Sequence, residues 1–449
     1  MYVQSVQIQN LRCFEEVQVE LNHPKQKGPA RPSAVRHLPN VTLLLGDNGS
    51  GKTTVLRAIV LGALSPVMSV GSGYVPYSLV RRTKGRPASA ASIQVDVVLD
   101  QHESRYAHAG PVGIALKPTT SFLDYIEEVH FRGRMDWRKW IFDESLPAFF
   151  AVGYGANRRA EAIRTVDAAS RSKERSPRYI RVASLFEENL TLMPLSIWLP
   201  RVSASRRREV THLLNRMLPG AKLLEMAEHG EYLFQLSDSR LPFPALSDGY
   251  RAYIAWLSDL LFHLCESCPA HRKLVDHPGL VLVDEIDLHF HPQWQRQVIP
   301  TVAESLPKLQ FVLTTHSPLV TGTLSSENVL LVREERGPRG VSRSIITRPD
   351  EEMYGFSADQ ILTSSTFGLE SPRDAAFSEQ LQAAAHQARR GGPDDALRYM
   401  RMVSGGAAAV ALPSPPSGKK LAPGRKKRAA RVSALPRKKS HKRSLRKLR

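Results

Sequence analysis

A glycine-rich segment near the N-terminus holds the residue types that bind a nucleoside triphosphate. The pattern G-x-x-x-x-G-K-[ST] occupies Gly46, Asp47, Asn48, Gly49, Ser50, Gly51, Lys52 and Thr53. Glycines let successive backbone N–H groups turn toward phosphate oxygens, and a helix N-terminus adds positive potential. We therefore expect Lys52 to reach the β- and γ-phosphates of ATP and the Thr53 hydroxyl to ligate Mg²⁺. Thr54 completes the expected ATP-binding set.

Two adjacent acidic residues end a second apolar segment. Leu280–Val283 is followed by Asp284 and Glu285, so two carboxylates stand at the end of a predicted buried strand. A triphosphate site needs a carboxylate that holds Mg²⁺, and Asp284 is the candidate. Hydrolysis also needs a group that orients and polarises the attacking water, and we assign Glu285 to that catalytic role.

The segment Leu246–Tyr250 resembles the signature motif of ABC-type ATPases. It precedes the carboxylate strand and opens a predicted helix, as that family requires. In the family this motif contacts the γ-phosphate held by the opposite subunit. The resemblance therefore implies that Ser247, Asp248 and Gly249 act in trans, helped by the helix N-terminus. A plain helix N-cap is the alternative interpretation of Ser247, and the two roles are compatible.

Two more segments resemble motifs of the same family. Phe311–Pro318 resembles the switch-histidine segment, which gives His316 a catalytic contact with the γ-phosphate, although a lone histidine after a strand is usually structural. Val6–Phe14 resembles the first strand of RecF/SMC-type and OLD-type ATPases. That resemblance implies that Arg12 approaches the nucleotide.

The resemblance to ABC/RecF/SMC-like ATPases covers residues 1–335 and is greatest to compact bacterial AAA-type ATPases. The ATPase subunits of Septu and of some retron anti-phage systems belong to that group. The segments that carry the resemblance are Val152–Arg158, Leu246–Arg251 and Asp284–Pro292. The sequence shows no convincing acidic cluster of the Toprim domain of OLD nucleases, so we do not expect intrinsic nuclease activity. Asn157 and Arg158 are the candidates for the position where the family usually has a Q-loop glutamine.

The family resemblance also implies a mechanism of assembly. ATP with Mg²⁺ would join two copies head to tail, each site using Lys52, Asp284 and Glu285 of one chain and Ser247 of the other. A homodimer or a larger assembly is therefore expected. We predict an ATP-driven switch that acts on or near DNA and regulates an effector, such as an HNH-type nuclease, in phage defence. A DNA-repair or chromosome-associated RecF/SMC-like clamp is the alternative, and an ABC transporter nucleotide-binding subunit is a more distant one.

The elements that position these residues follow from the hydrophobic pattern. Val41–Leu45 is a continuous apolar run, which is typical of a strand buried on both faces, and helical spacing follows it. We predict an α/β P-loop NTPase fold of the ABC-ATPase type with an antiparallel β subdomain, a helical lobe and a disordered basic C-terminal tail. The predicted regions are a head at 1–348, a helical extension at 349–404 and a tail at 405–449. Within the head, residues 157–245 form an insertion and the helical lobe, and 157–183 are expected to be exposed.

The net charge of +19 is concentrated at the C-terminal end. Residues 419–449 contain 15 Lys or Arg and no Asp or Glu, which leaves +4 for the rest. So dense a run of positive charge can bind nucleic acid by counterion release. It contains no aromatic side chain for base stacking, so sequence-specific binding is not expected. A solvated tail that binds nothing is the alternative.

The cysteine and histidine residues do not predict a zinc site. The closest grouping is His263, Cys265, Cys268 and His271. Structural zinc usually takes its ligand pairs from two separated segments, so packed thiols at a helix end are the favoured interpretation. His289 and His291 make an even weaker metal site. Three cysteines give no disulfide framework, and we find neither a signal-peptide pattern nor a membrane-spanning apolar run, so a cytoplasmic location without membrane contact is expected.

Overall fold

The structure of the protein is a computed structural model. It describes residues 1–26, 37–84, 86–119, 125–144, 146–158, 175–188, 190–226, 230–337 and 340–403. The predicted basic tail at 405–449 lies outside the described residues.

Sixteen strands lie within the described residues. In chain order they are β1 (Tyr2–Leu11), β2 (Phe14–Glu20), β3 (Val41–Leu45), β4 (Arg82–Thr83), β5 (Arg86–Pro87), β6 (Ala91–Val98), β7 (Gly110–Pro118), β8 (Glu127–Arg132), β9 (Ala151–Tyr154), β10 (Ala221–Met226), β11 (Tyr232–Leu236), β12 (Ser239–Pro242), β13 (Gly279–Val283), β14 (Leu309–Thr315), β15 (Val329–Arg336) and β16 (Ser342–Thr347).

Twelve α-helices lie in the same part of the chain. They are α1 (Lys52–Ala63), α2 (Met135–Ile141), α3 (Pro177–Ile180), α4 (Leu195–Trp198), α5 (Ala204–Met217), α6 (Asp248–Ser267), α7 (Pro292–Gln295), α8 (Val298–Ser305), α9 (Pro318–Thr321), α10 (Ala358–Thr363), α11 (Ala375–Arg390) and α12 (Pro393–Val403).

A six-stranded sheet in the order β16-β15-β3-β14-β13-β9 positions the predicted site residues. The strands from β15 to β9 are parallel, and β16 pairs antiparallel with β15. The carboxyl ends of parallel strands lie at one edge of a sheet, where α/β proteins bind their ligands. The glycine-rich loop follows β3, the two acids follow β13, and His316 follows β14. The sheet therefore brings three separate sequence motifs to the same edge.

The two faces of this sheet support two different hydrophobic cores. Along β13, Val281 and Val283 face the core shared with α5, α6 and α8, whereas Leu280 and Leu282 face the core shared with α1. On that second side α1 packs against an antiparallel sheet in the order β2-β1-β6-β7-β8. Burial on both faces explains why these parallel strands read as uninterrupted apolar runs.

The predicted exposure of residues 157–183 is wrong for the part of this segment that the structure describes after residue 174. Arg178, Tyr179 and Val182 are buried, because the segment covers the edge of β9, where Gly153 N donates to Arg181 O at 2.9 Å. The Arg178 guanidinium is buried among backbone carbonyls, to which it donates. A basic side chain that satisfies carbonyls in the interior has the same sequence signature as an exposed one.

The chain divides into two compact units, Met1–Pro372 and Arg373–Arg449. In the second unit α11 and α12 pack against each other as a helical hairpin, with Ala384 buried. The predicted region boundaries at 348 and 404 stay predictions. Among the described residues, no helix is both long and apolar enough to span a membrane.

Candidate active site

The loop between β3 and α1 needs glycine at two positions for different reasons. Gly51 has a φ of 112°, and a Cβ there would lie 2.6 Å from Cys13 Sγ and 2.8 Å from the Phe14 ring. A Cβ on Gly46 would lie 2.1 Å from the carbonyl oxygen of Val332. Left-handed backbone and close packing therefore both exclude larger residues from this loop.

The Lys52 ammonium is held inside the loop. Its Nζ donates to the carbonyl oxygens of Gly46 at 2.8 Å and Asp47 at 2.9 Å, and the side chain is 6% exposed. Burial lowers the pKa of Lys52, while the Asp284 and Glu285 carboxylates oppose that shift. The structure thus places the predicted lysine close to both predicted acids. Its carbonyl contacts can be exchanged for phosphate oxygens, which bind an ammonium more strongly.

Asp284 joins the loop to the neighbouring strand. Thr53 Oγ1 donates to Asp284 Oδ2 at 2.7 Å, and Thr314 Oγ1 donates to Asp284 Oδ1 at 2.6 Å. The Asp284 side chain is 5% exposed. The two residues that the sequence nominated for Mg²⁺ are therefore in direct contact, whereas the third partner, Thr314, was missed. The signal available for it was a polar pair, Thr314 and Thr315, at the end of an otherwise apolar strand.

Glu285 follows Asp284 beyond the end of β13 and has a left-handed backbone conformation. Its φ is 48°, an uncommon conformation for a residue with a side chain. Glu285 N donates to Thr314 Oγ1 at 2.8 Å, and Arg158 Nη2 donates to Glu285 O at 2.6 Å. These contacts on both sides of the residue stabilise the left-handed turn. They leave the carboxylate out of the contacts that hold Asp284.

His316 begins the segment after β14 and is half-buried. Burial and then the positive charge of Lys52 lower the pKa of His316, and Glu285 opposes the shift. The imidazole is therefore neutral at pH 7 and lies within the electrostatic field of the loop lysine. Asp287, which was not among the predicted site residues, accepts a hydrogen bond from Thr315 Oγ1 on the same strand end.

Arg12 lies in the turn between β1 and β2, beside the loop. It is exposed with a φ of 48°, and its N–H donates to Leu79 O at 2.7 Å. The next residue, Cys13, places its Sγ 3.6 Å from Ser50 O. The positive charge of Arg12 also acts on Arg57 of α1, since it contributes to lowering the pKa of Arg57 after burial. The turn therefore adds positive charge next to the phosphate loop.

The signature residues open α6 and pack on the segment that follows the two acids. Ser247 occupies the N-cap position and is exposed, but its hydroxyl makes no capping hydrogen bond. Asp248 pairs with Arg251, and a Cβ on Gly249 would lie 2.9 Å from His289 O. Ser247 is therefore the N-cap of α6 by its backbone position, but its side chain does not cap the helix. The Ser247 hydroxyl stands at an open helix N-terminus, which attracts anions.

A buried hydrogen-bond network connects α6 to the six-stranded sheet. Tyr154 Oη at the end of β9 donates to Asp259 Oδ2 at 2.9 Å, and Met193 N donates to Asp259 Oδ1 at 2.7 Å. His263 Nε2 lies 3.4 Å from the same carboxylate. Burial acts to raise the pKa of Asp259, but His263 and the hydrogen bonds outweigh it and leave the pKa below its ordinary value.

The cysteine and histidine grouping makes other contacts. His263 pairs with Asp259, and Cys268 Sγ donates to backbone carbonyls of the following turn, with 3.4 Å to Arg272 O. His291 Nδ1 accepts from Gln293 N at the start of α7. Among the described residues, no group of three or more His, Cys, Asp or Glu side chains is arranged to hold a metal ion by protein ligands alone.

A phosphate loop with an internal lysine, closed by a threonine–aspartate hydrogen bond at the edge of a parallel sheet, defines a P-loop ATPase. The chain belongs to the AAA domain family described as "AAA domain, putative AbiEii toxin, Type IV TA system", whose model matches residues 41–321. A second AAA domain model matches residues 5–67. The predicted family, the predicted P-loop fold and the predicted ATPase activity are thereby confirmed.

Curated relatives of the chain agree with this assignment. The chain is 24% identical over 375 residues to the Septu protein PtuA of Bacillus mycoides (strain KBAB4), covering 82% of this chain and 45% of the relative. It is 28% identical over 204 residues to the Retron Ec83 probable ATPase of Escherichia coli, covering 43% and 38%. The chain thus spans less than half the length of these relatives. The SMC head domain from Thermotoga maritima is 14% identical to this chain, covering 78% of this chain and 100% of that one, at a TM-score of 0.42.

Proposed function

We propose that this ATPase is a Mg²⁺-dependent switch that pairs with a second copy around bound ATP and separates after hydrolysis. The observation that carries the proposal is the contact between Thr53 and Asp284, at 2.7 Å, beneath a lysine-containing phosphate loop. This hydrogen bond holds a hydroxyl and a carboxylate oxygen together at the end of the phosphate loop. These are the two protein oxygens that a Mg–ATP site requires.

The residues present fit Mg–ATP. Ser50 Oγ is buried and has no hydrogen-bond partner among the described residues, which suits a hydroxyl that receives a phosphate oxygen or a metal-bound water. Mg²⁺ is typically held by one or two protein oxygens together with phosphates and water, rather than by a full protein cage. Thr53 and Asp284 would hold it here, and when bound it would neutralise charge on the β- and γ-phosphates.

The chain's own residues divide the chemistry among them. Lys52 would exchange its carbonyl contacts for β- and γ-phosphate oxygens. Glu285 would orient a water molecule in line with the γ-phosphorus and take its proton as the bond to the β-phosphate breaks. The neutral imidazole of His316 would donate to a γ-phosphate oxygen, where charge develops.

The second copy would complete the site with its signature residues. Support comes from the exposed Ser247 hydroxyl and the open N-terminus of α6, both of which favour a phosphate supplied from outside the chain. Each nucleotide would then be covered by Ser247, Asp248 and Gly249 of the partner.

The relatives suggest the setting in which such a switch works. Because relatives of this chain are Septu and retron proteins, we propose that it regulates an effector in phage defence, with an HNH-type nuclease as the expected class. The basic residues after 404 would add nucleic-acid binding, by charge alone. Co-purification with the products of neighbouring genes, with and without ATP and DNA, tests this assignment: recovery of a DNA-repair complex instead of an effector would refute it.

The ATP switch itself is tested with Glu285→Gln and Lys52→Ala. Glu285→Gln should bind Mg–ATP, lower the turnover number by roughly 10²- to 10⁴-fold and accumulate as an ATP-bound dimer, because only the proton acceptor is lost. Lys52→Ala should not bind ATP or dimerise. Turnover is measured by phosphate release, and dimerisation by sedimentation with ATP and with EDTA.

Glu20→Gln, on the exposed side of β2, is the matched control and should behave as the wild type. Normal turnover by Glu285→Gln would refute the assignment of the base. A wild-type chain that stays monomeric with Mg–ATP while hydrolysing it would refute the paired site.

A further inference from the structure

Arg158, one of the two candidates for the Q-loop position, lies four residues after the end of β9. Because β9 is paired in parallel with β13, the segments that follow these two strands leave the sheet at the same edge. Arg158 Nη2 donates to the carbonyl oxygen of Glu285 at 2.6 Å. The guanidinium therefore contacts the backbone of the residue assigned to activate water.

The other terminal nitrogen of this guanidinium is unused. Arg158 Nη1 is buried and has no hydrogen-bond partner within the described part of the chain. Burial lowers the pKa of Arg158 to about 10, and the carboxylates of Asp284, Asp287 and Glu285 oppose the shift. The group thus stays charged at pH 7. A buried cation with an unpaired donor is costly unless an anion completes its contacts.

The contact with Glu285 also has a conformational consequence. Glu285 has a φ of 48°, which a residue with a side chain adopts only when its surroundings impose it. Thr314 Oγ1 accepts its N–H, and Arg158 holds its carbonyl. Arg158 thereby fixes the direction in which the Glu285 side chain leaves the backbone.

We propose that Arg158 is a positioning residue that senses the terminal phosphate of ATP: Nη2 holds the Glu285 backbone while Nη1 donates to a γ-phosphate oxygen. This inference rests on the proposed hydrolytic role of Glu285. ADP cannot engage Nη1, because it lacks the γ-phosphate. A lysine cannot replace the arginine, since an ammonium has no planar pair of donors that can bind two oxygens in fixed directions.

The test compares Arg158→Lys with Arg178→Lys. Arg178 is also a buried arginine that donates to backbone carbonyls. Those carbonyls belong to residues 143–149 and not to the segment of Asp284 and Glu285. In Arg158→Lys, ADP affinity should stay within about twofold of the wild type, ATP affinity should fall by roughly tenfold, and the turnover number should fall by roughly a hundredfold. Arg178→Lys should lower the melting temperature without changing the ratio of ATP to ADP affinity.

A second variant guards against a simple loss of folding. In Arg158→Ala, guanidinium at non-denaturing concentration should restore part of the turnover, which it should not do for Arg178→Ala. Wild-type turnover and ATP preference in Arg158→Lys would overturn the inference and leave the ATP switch intact. Equal loss of ADP and ATP affinity in Arg158→Lys would also overturn it, because that result indicates a structural role alone. Failure of the wild type to bind ATP would reject both proposals together.

Discussion

Thr314 serves both acids of the site with one hydroxyl, which donates to Asp284 and accepts the N–H of Glu285. We predict that Thr314→Val, which keeps the shape and removes the hydroxyl, costs about 1–3 kcal/mol of unfolding free energy, because two buried polar groups lose a partner. The turnover number should also fall by roughly tenfold to a hundredfold through misplacement of Glu285. Urea unfolding and phosphate release measure the two effects. Thr314→Ser should restore both, and wild-type turnover in the valine variant would show that the hydroxyl does not position the base.

At this scale the sequence predicts a side chain's role where a local motif determines it. The spacing of Lys52, Thr53 and Asp284 encodes a loop and a strand end, and the structure brings these three residues together, while their roles stay predictions. The contact of Arg158 with Glu285 could not be predicted, because it depends on which strand lies beside β13 and on a left-handed φ. Neither property is written in the residues themselves.

At the scale of the elements, the Asp259 network connects the signature helix to the sheet that carries the acids. We predict that Tyr154→Phe costs about 1–2 kcal/mol of unfolding free energy and also weakens ATP-dependent pairing, because α6 loses its hydrogen bond to the end of β9. Tyr253→Phe is the matched control, since the Tyr253 hydroxyl on the same helix donates to Met217 O, at the end of α5. It should lower stability and leave pairing unchanged. Equal pairing in both variants would argue against a coupling role.

The elements themselves follow from hydrophobic periodicity wherever one pattern dominates. Val41–Leu45 coincides with β3, and the helix predicted to open at Leu246–Tyr250 is α6. The predicted exposure of residues 157–183 is wrong at α3, because Arg178 and Tyr179 are buried beside β9. Burial there depends on backbone carbonyls contributed by residues 143–149, which no local pattern can indicate.

For the whole molecule, buried histidines predict a loss of stability in acid. His277 is fully buried against Phe150, and burial, followed by nearby positive charges, lowers its pKa to about 3. The unfolded chain binds a proton below about pH 6.5 and the folded chain does not, so stability is complete above 6.5 and declines as the pH falls toward 3. This group alone contributes a slope of up to about 1.4 kcal/mol per pH unit.

The variant His277→Leu tests that slope. Neither ring nitrogen of His277 has a hydrogen-bond partner among the described residues, so the substitution removes a titrating group without breaking a hydrogen bond. Urea unfolding between pH 7 and 4 should show a flatter decline than the wild type. The exposed His130, changed to Gln, should keep the wild-type slope. An unchanged slope in His277→Leu would mean that other groups control acid stability.

Charge at the C-terminal end leads to another prediction for the whole chain. Deleting residues 413–449 removes all 15 basic residues counted after 418. DNA affinity at low salt should fall, and the plot of log affinity against log salt should become shallower by about 0.9 for each phosphate that the shortened chain no longer neutralises. A full-length variant with the same tail residues in scrambled order should bind as the wild type does. Undiminished affinity of the truncated chain would locate DNA binding elsewhere.

The change of backbone hand at Glu285 separates two tasks that are adjacent in sequence. The threonine contacts of Asp284 involve no atom of the Glu285 carboxylate. A descendant of this chain that lost that carboxylate through one codon change would therefore keep Thr53 and Asp284, the residues proposed to hold magnesium, and the lysine proposed to bind the triphosphate. Under the proposed function, one substitution at Glu285 would convert a dimer that separates after each hydrolysis into one that stays paired until the protein is degraded.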